Sequence, residues 1–454
     1  MISKRWRVVT SAAVVAAATL MLTGCTGSSN KATTATSAIN ASSATAQPPT
    51  TITVWTFNKL PTEVKAIQDA IDALKVKDPW LTVNLVTAKT NDDFTKAVTA
   101  GNPPDVFISS SPDNAAKFCY NGAVIDMNPL AQSAGLDIAA TFPPSVLSYT
   151  QFDGKQCALP LLVDSYALYY NKAMFQAAGI SSPPKTLSEL TADAKKLTVK
   201  NSDGSIKVFG LEPPTVTFAQ NDNWFIGGST GAQFYDANGK TTFASDPTWV
   251  EMLNWQKDLL DWYGSKNVTD FVSKYNAHED DAQNPFETEA AAMAFAGEWH
   301  IGEIADNTPN LDYGTAPVPV PDSKASIYGA GSVLGTVVYI SSKSNQQAAA
   351  FLAVQQLTTD TDFLTTFATQ MSNIPTTFDS LQAWTGATDD HWKAYVDIAA
   401  NPNSYYKTLT PAGVEDHDDF MTFIQQWEQG KVSNLQAGLA DVGTKIDQLN
   451  AQSQ

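Results

Sequence analysis

Gly154 to Leu190, GKQCALPLLVDSYALYYNKAMFQAAGISSPPKTLSEL, is the stretch whose reading decides the fold. Gln156 to Leu159 reads as a short strand, stopped by Pro160. Leu161 to Val163 reads as a crossing segment that delivers a carboxylate, Asp164. Tyr166 to Tyr170 reads as a second strand, rich in Tyr and Leu. Asn171 opens a short helix over Lys172 to Ala178, ended by Gly179 as the residue just past the helix. Pro183 and Pro184 make a stiff extended link. Thr186 with Glu189 three residues on has the form of a capping box. One apolar segment therefore leaves a first lobe, passes an acidic residue and opens a second lobe.

The pattern outward from this stretch is α/β throughout. Upstream, Thr51 to Phe57 alternates and should be the first core strand. Thr62 to Asp78 follows as a helix with Val64, Ile67, Ile71 and Leu74 on one face, and Pro79 stops it. Leu81 to Val86 is a strand and Asp92 to Ala100 a helix. Gly101 to Pro104 then turns into a short buried strand beginning at Asp105, whose carboxylate is expected to organise local backbone. Downstream, Asp246 caps a long helix that has Pro247 at its first position and runs to Tyr263. Leu311 to Pro321 reads as the strand that returns to the first lobe, Gly329 to Ile340 as a Gly-rich turn and a buried strand, and Asn345 to Leu357 as an Ala-rich helix.

Composition excludes some functions. The formal net charge over 454 residues is −18, which opposes a nucleic-acid partner, because phosphates need a basic footprint. The four histidines, His278, His300, His391 and His417, have no partner at metal-ligand spacing. Asp236 to Gly239 reads as a hairpin turn, since no downstream acidic residue completes a calcium loop. Lys4, Arg5 and Arg7 precede an apolar run, Val8 to Leu22, too short to span a membrane and right for a signal segment. Leu22-Thr23-Gly24-Cys25 resembles a bacterial lipobox, in which the Cys25 thiol is acylated and becomes the new N-terminus; an ordinary signal peptide is the alternative. Loss of residues 1–24 leaves a net charge of −21. Thr26 to Thr50, Ser/Thr/Ala-rich with Lys31 as its one charge, cannot bury enough apolar area to fold and reads as a tether. Cys119 and Cys157 both fall in the first lobe, where a disulfide is feasible outside the cytoplasm; two buried thiols are the alternative.

The opening stretch, with "YYNKAMFQAAGI", two prolines and "TLSEL", resembles the extracellular solute-binding proteins of ABC importers, in the branch that includes maltose-binding protein. Separate blocks carry the same resemblance: "GNPPDVFIS" from Gly101, Asn121-Gly122-Ala123 before "DMNPL", "TEAAAMAFAGEWHI" from Thr288 and Asn373-Ile374-Pro375. The resemblance implies a type II periplasmic-binding-protein fold with two discontinuous α/β lobes joined by hinge crossings. The first lobe would take 51–163 and 319–372, the second 164–318 and 373–454. It implies no enzymatic activity and no cofactor. The chain is expected to be a monomer, lipid-anchored on the extracellular face of the cytoplasmic membrane, that delivers a carbohydrate, an oligosaccharide, to a membrane permease. A non-sugar solute (a polyamine, an iron complex or a phosphodiester) is the alternative.

A cleft protein needs polar groups on two walls and aromatic faces for the apolar side of a sugar ring. Asp164 aligns with a sugar-binding acid of the maltose-binding branch; a hinge carboxylate is the alternative. Trp299 follows a Gly turn at the block where the family places a stacking Trp; core packing is the alternative. Trp224 matches more loosely. Asn58, Asp113 and Ser332 lie at loops expected to face the cleft. Trp384 or Trp392 could reach it, and Trp55 is expected in the core. Gly227 to Gly231 fits the G-x-S-x-G pattern of a serine hydrolase with Ser229 as nucleophile, but without the strong strand before and helix after that the elbow requires.

Overall fold

Alternation of apolar side chains builds the strands; beside two small hairpins, two five-stranded sheets result. In chain order their strands are β1 (Thr50–Thr56), β2 (Leu81–Val86), β3 (Val106–Ser109), β4 (Leu159–Pro160), β5 (Leu162–Asn171), β6 (Met293–Gly297), β7 (Tyr313–Pro317), β8 (Val333–Leu334), β9 (Val337–Ile340) and β10 (Ile374–Pro375). The structure is a computed structural model that describes residues 47–218, 231–236, 238–276, 278, 282–404 and 406–453. Cys25, the signal and most of the tether, Trp224 and Ser229 lie outside the described residues.

The first sheet has the order β2-β1-β3-β9-β4, parallel across β1, β2 and β3 and antiparallel at β9. Asp105 locks it. Its carboxylate accepts the Thr53 N–H at 2.8 Å and the Ser344 hydroxyl, so one acid ties the entry of β3 to β1 and to the end of β9. The helix Pro61–Lys77 covers this sheet through Ile67, Ile71 and Leu74. Cys119 and Cys157 are joined by a disulfide, with Cα atoms 5.6 Å apart. The bridge ties the helix Ala115–Tyr120 to the approach of β4.

The second sheet is centred on β5, with β6 and β7 antiparallel on its two sides. Here the sequence reading is corrected. Leu161 to Val163 is not a separate link before a strand at Tyr166; one strand runs unbroken from Leu162 to Asn171, with Asp164 inside it. Its first residues pair with the other two crossings: β10 at Leu162 and Val163, β8 at Asp164 and Ser165. Its far half, Tyr166 to Asn171, pairs with β6 and β7. The chain thus passes between the sheets three times, and all three passages lie side by side against one strand.

The helix after β5 begins where the sequence places it. The Asn171 side chain accepts the Met174 N–H at 2.9 Å, and Gly179 follows with a positive φ of 63°. The Thr186 hydroxyl caps the helix Leu187–Leu197, and Asp246 caps the helix Pro247–Tyr263. Alternate residues of β5 serve different cores. Ala167 and Tyr169 join the first, continuous with the interior of the first sheet, and Leu168 joins the second, with Phe209, Trp249, Phe420 and Leu439. The C-terminal part divides in the same way: Trp384, Trp392, Tyr395 and Ile398 pack in the first core, Phe420 to Ile446 in the second.

Candidate ligand site at the crossings

Asp164 and Trp299 are brought to the same place by sheet register. Gly297, the last residue of β6, pairs with Tyr166 of β5, so the turn after β6 lies over the first residues of that strand. The Trp299 indole folds back onto Gly297. A Cβ added there would lie 2.2 Å from the ring, so this position demands glycine. The indole meets Tyr166 edge-to-face, with ring centroids 5.7 Å apart. Trp299 keeps part of its surface exposed, whereas Tyr166 is buried. A half-exposed indole braced by a phenol is a firm apolar platform.

Asp164 also keeps some exposure, but its carboxyl belongs to a network that sequence reading missed. Glu298 is fully buried beside it. The Asn373 amide donates to Asp164 Oδ1 at 2.6 Å and to Glu298 Oε1 at 2.7 Å. The Ser165 N–H donates to Glu298 Oε2 at 2.9 Å, and the Ser165 hydroxyl donates to the Ser332 carbonyl at 2.8 Å. Burial pushes the Asp164 carboxyl up to about 7, against the opposing hydrogen bonds from Glu298 and Asn373. Burial, and then the charge of Asp164, push Glu298 well above the usual carboxylate range. Two acids this close titrate as a unit. Glu298 and Asn373 lie inside the quoted blocks "GEW" and "SNIP"; the available signal was a polar residue set among buried apolar ones.

The remaining expected residues are elsewhere or inward. Asn58 is 1% exposed; its side-chain oxygen accepts the Thr56 hydroxyl at 2.6 Å, and its amide reaches Glu63 and Met371. Ser332 is buried beside Ser165 of β5. Trp384 and Trp392 pack edge-to-face in the first core, their centroids 4.9 Å apart, and both are buried. Trp55 is half-buried, with the Lys89 ammonium 4.9 Å from its ring centroid.

Asp113 is engaged with a cation. It lies 3.7 Å from Lys407 Nζ, and it accepts hydrogen bonds from the Tyr406 hydroxyl and, at 2.8 Å, the Ser111 hydroxyl. Lys407, 2% exposed, also donates to Asp416 at 2.6 Å. Asp416 further accepts the hydroxyls of Tyr235 at 2.6 Å and Thr410 at 3.0 Å. Although burial opposes it, the charge of Lys407 and the Tyr406 and Ser111 hydrogen bonds hold Asp113 below its ordinary value.

The family model described as "Bacterial extracellular solute-binding protein" matches residues 58–371. A binding protein of Brucella abortus (strain 2308) is 27% identical over 285 residues, which cover 61% of this chain and 64% of that protein. The maltotriose-binding protein of Pyrococcus abyssi is 22% identical over 71% of this chain and 66% of its own length. The match thus spans about two thirds of each relative. Among solved structures, CpMnBP1 with mannotriose bound superposes with a TM-score of 0.73 at 22% identity, covering 87% of this chain and 99% of that one. The architecture is therefore the two-lobed, type II periplasmic-binding fold. With the family match running from the end of β1 to the doorstep of β10, the chain is a member of the bacterial extracellular solute-binding protein family.

Proposed function

We propose that this protein is the capture subunit of an ABC importer, binding a carbohydrate, an oligosaccharide, in a cleft between two lobes and handing it to a membrane permease without transforming it. The observation that carries the reading is the pairing of a partly exposed acid, Asp164, with a partly exposed indole, Trp299, at the seam of the sheets. A sugar presents hydroxyls on its rim and C–H bonds on its face, and this pair offers a partner to each. We place the lobes at about 51–163 with 319–372 and 164–318 with 373–454, with Trp384 to Ile398 of the latter packed into the core that is continuous with the first sheet, and β5, β8 and β10 as the hinge. Asn58, Asp113 and Ser332 are secondary contributors, and Trp224 is kept as a candidate contact. Maltotriose and mannotriose, named with two of the similar proteins, are of the same chemical class.

The charge inventory speaks against an anionic solute. Beyond Arg7 the chain contains no arginine, so the mature protein has no guanidinium fork for a phosphate or carboxylate. The Cys25 lipid anchor and the 26–50 tether would hold the body at the outer face of the membrane. Among the described residues no helix is long and apolar enough to cross one. Ser229 is not taken as a nucleophile.

Calorimetric titration against a panel of oligosaccharides tests the reading. A sugar should bind with a Kd in the micromolar range or tighter. Trp299→Ala should weaken it by about tenfold or more, the scale of one lost aromatic contact. Binding of no sugar, or equal affinity in Trp299→Ala and Asp164→Ala, would sink it.

A further inference from the structure

Three elements meet at one polar knot. Asp164 lies on β5, Glu298 follows β6, and Asn373 precedes β10. The Asn373 amide has two hydrogens, and each serves one carboxyl oxygen, one on Asp164 and one on Glu298. The Ser165 N–H serves the other oxygen of Glu298. Each of these donors is a neutral group. Among the described residues no Lys or His forms an ion pair with either acid; His300, two residues beyond Glu298, turns to Glu303 at 2.7 Å. The segment 219–230 contains no Lys, Arg or His. The titratable groups that face the pair are phenols. Tyr149 donates to the Leu162 carbonyl at 3.3 Å, Tyr169 to the Gly297 carbonyl at 2.8 Å and Tyr395 to the Ala296 carbonyl at 3.1 Å. Burial holds all three neutral.

Two adjacent carboxylates without a cation cannot both stay ionised in a desolvated site, so they retain a proton between them. We propose that Glu298 is a positioning residue that acts through Asp164, holding with Asn373 a single proton shared between the two carboxyls at the hinge, so that ligand capture takes up a proton and weakens as the pH rises. The proposal rests on the reading of Asp164 as a ligand-contacting group. Closure replaces water around Asp164 with the ligand and with the Trp299 and Tyr166 rings. A second negative charge on the pair then becomes more costly, and the proton is held more tightly in the bound state. The pair's titration near neutrality, with Asp164 at about 7, sets the range in which the effect is felt.

The test is calorimetric titration of the full mature protein with a sugar from the binding panel, in buffers of different ionisation enthalpy at about pH 7 to 8. The expected result is an enthalpy that varies with the buffer and reports uptake of up to one proton. Affinity should fall by up to about tenfold per pH unit above the pair's pKa. Glu298→Gln, which keeps an acceptor for Asn373, should lose most of the uptake and flatten the pH profile, an outcome that a purely structural role would not give. The same enthalpy in every buffer, or proton release, overturns the proposal. If no sugar in the panel binds, the ligand reading fails, and the shared proton is then read by infrared spectroscopy of the ligand-free protein. A protonated-carboxyl band should persist to about pH 7 in the wild type and change in position in both Asp164→Asn and Glu298→Gln, each of which leaves one acid with the proton to itself; absence of the band from the wild type, or an unchanged band in both variants, overturns the shared proton.

Discussion

Two buried polar clusters stand within this fold, and they are finished differently. Around Lys407, a single ammonium meets Asp113 and Asp416, and hydroxyls from Tyr235, Tyr406, Thr410 and Ser111 take up the remaining oxygens. At the crossings, Asp164 and Glu298 have an amide and a backbone N–H, and among the described residues no cation. The first cluster is compensated; it joins the loop after β3 to the start of the helix Glu415–Glu428 and leaves little for a ligand to add. The second is under-compensated and sits beside a partly exposed indole. An acid matched by a cation is a structural part; a partly exposed acid held only by a neutral amide and a second acid is where recognition can occur.

Lys407→Met should break the comparison most forcefully. It strands two buried carboxylates and should cost about 3–5 kcal/mol, read as a lower midpoint in urea unfolding. A loss below about 1 kcal/mol would mean that the cluster is not the compensated unit described here. Glu298→Gln should do the opposite at alkaline pH. Burial raises the folded-state values of both hinge acids, so the stabilisation they allow is full below the ordinary carboxylate range and is lost as pH rises towards about 7, where Asp164 titrates. The variant should therefore be more stable than the wild type at about pH 8, by roughly 1–2 kcal/mol, and show little advantage at about pH 4. Equal stability slopes in wild type and variant would remove the distinction between the clusters. Asp113→Asn, which leaves Lys407 paired with Asp416, should cost less than Lys407→Met, about 1–2 kcal/mol, in the same unfolding assay. Lys117→Ala gives the lower bound. Its pair with Glu415 at 2.9 Å ties the helix Ala115–Tyr120 to the start of the helix Glu415–Glu428 on the surface, and its removal should change stability by no more than about 0.5 kcal/mol.

Much of the architecture was readable because it rests on local chemistry. Asn171, Thr186 and Asp246 each cap a helix where the sequence puts one, and Gly179 ends one. Trp299 and Asp164 could be singled out because each sits in a recognisable block. What stayed hidden depends on partners distant in the chain. Asp113 meets Lys407 after nearly three hundred intervening residues, and no local pattern announces that pairing. Asn58 lies at the carboxyl end of a strand, yet its side chain turns inward to Thr56. Asp164 hides the continuity of β5, because an acid in an apolar run looks like an interruption. Asn373, 209 positions on, supplies the hydrogen bond that lets Asp164 sit within the ladder.

That unbroken ribbon from Leu162 to Asn171 has a mechanical meaning. A flexible loop would let the halves flap apart in any direction. A pleated strand clamped at one end by β10 and at the other by β6 and β7 bends poorly but twists readily. The preferred motion is then a torsional swing about the axis of this rod, and Asp164, close to the pivot, would travel little while the distant rims sweep widest.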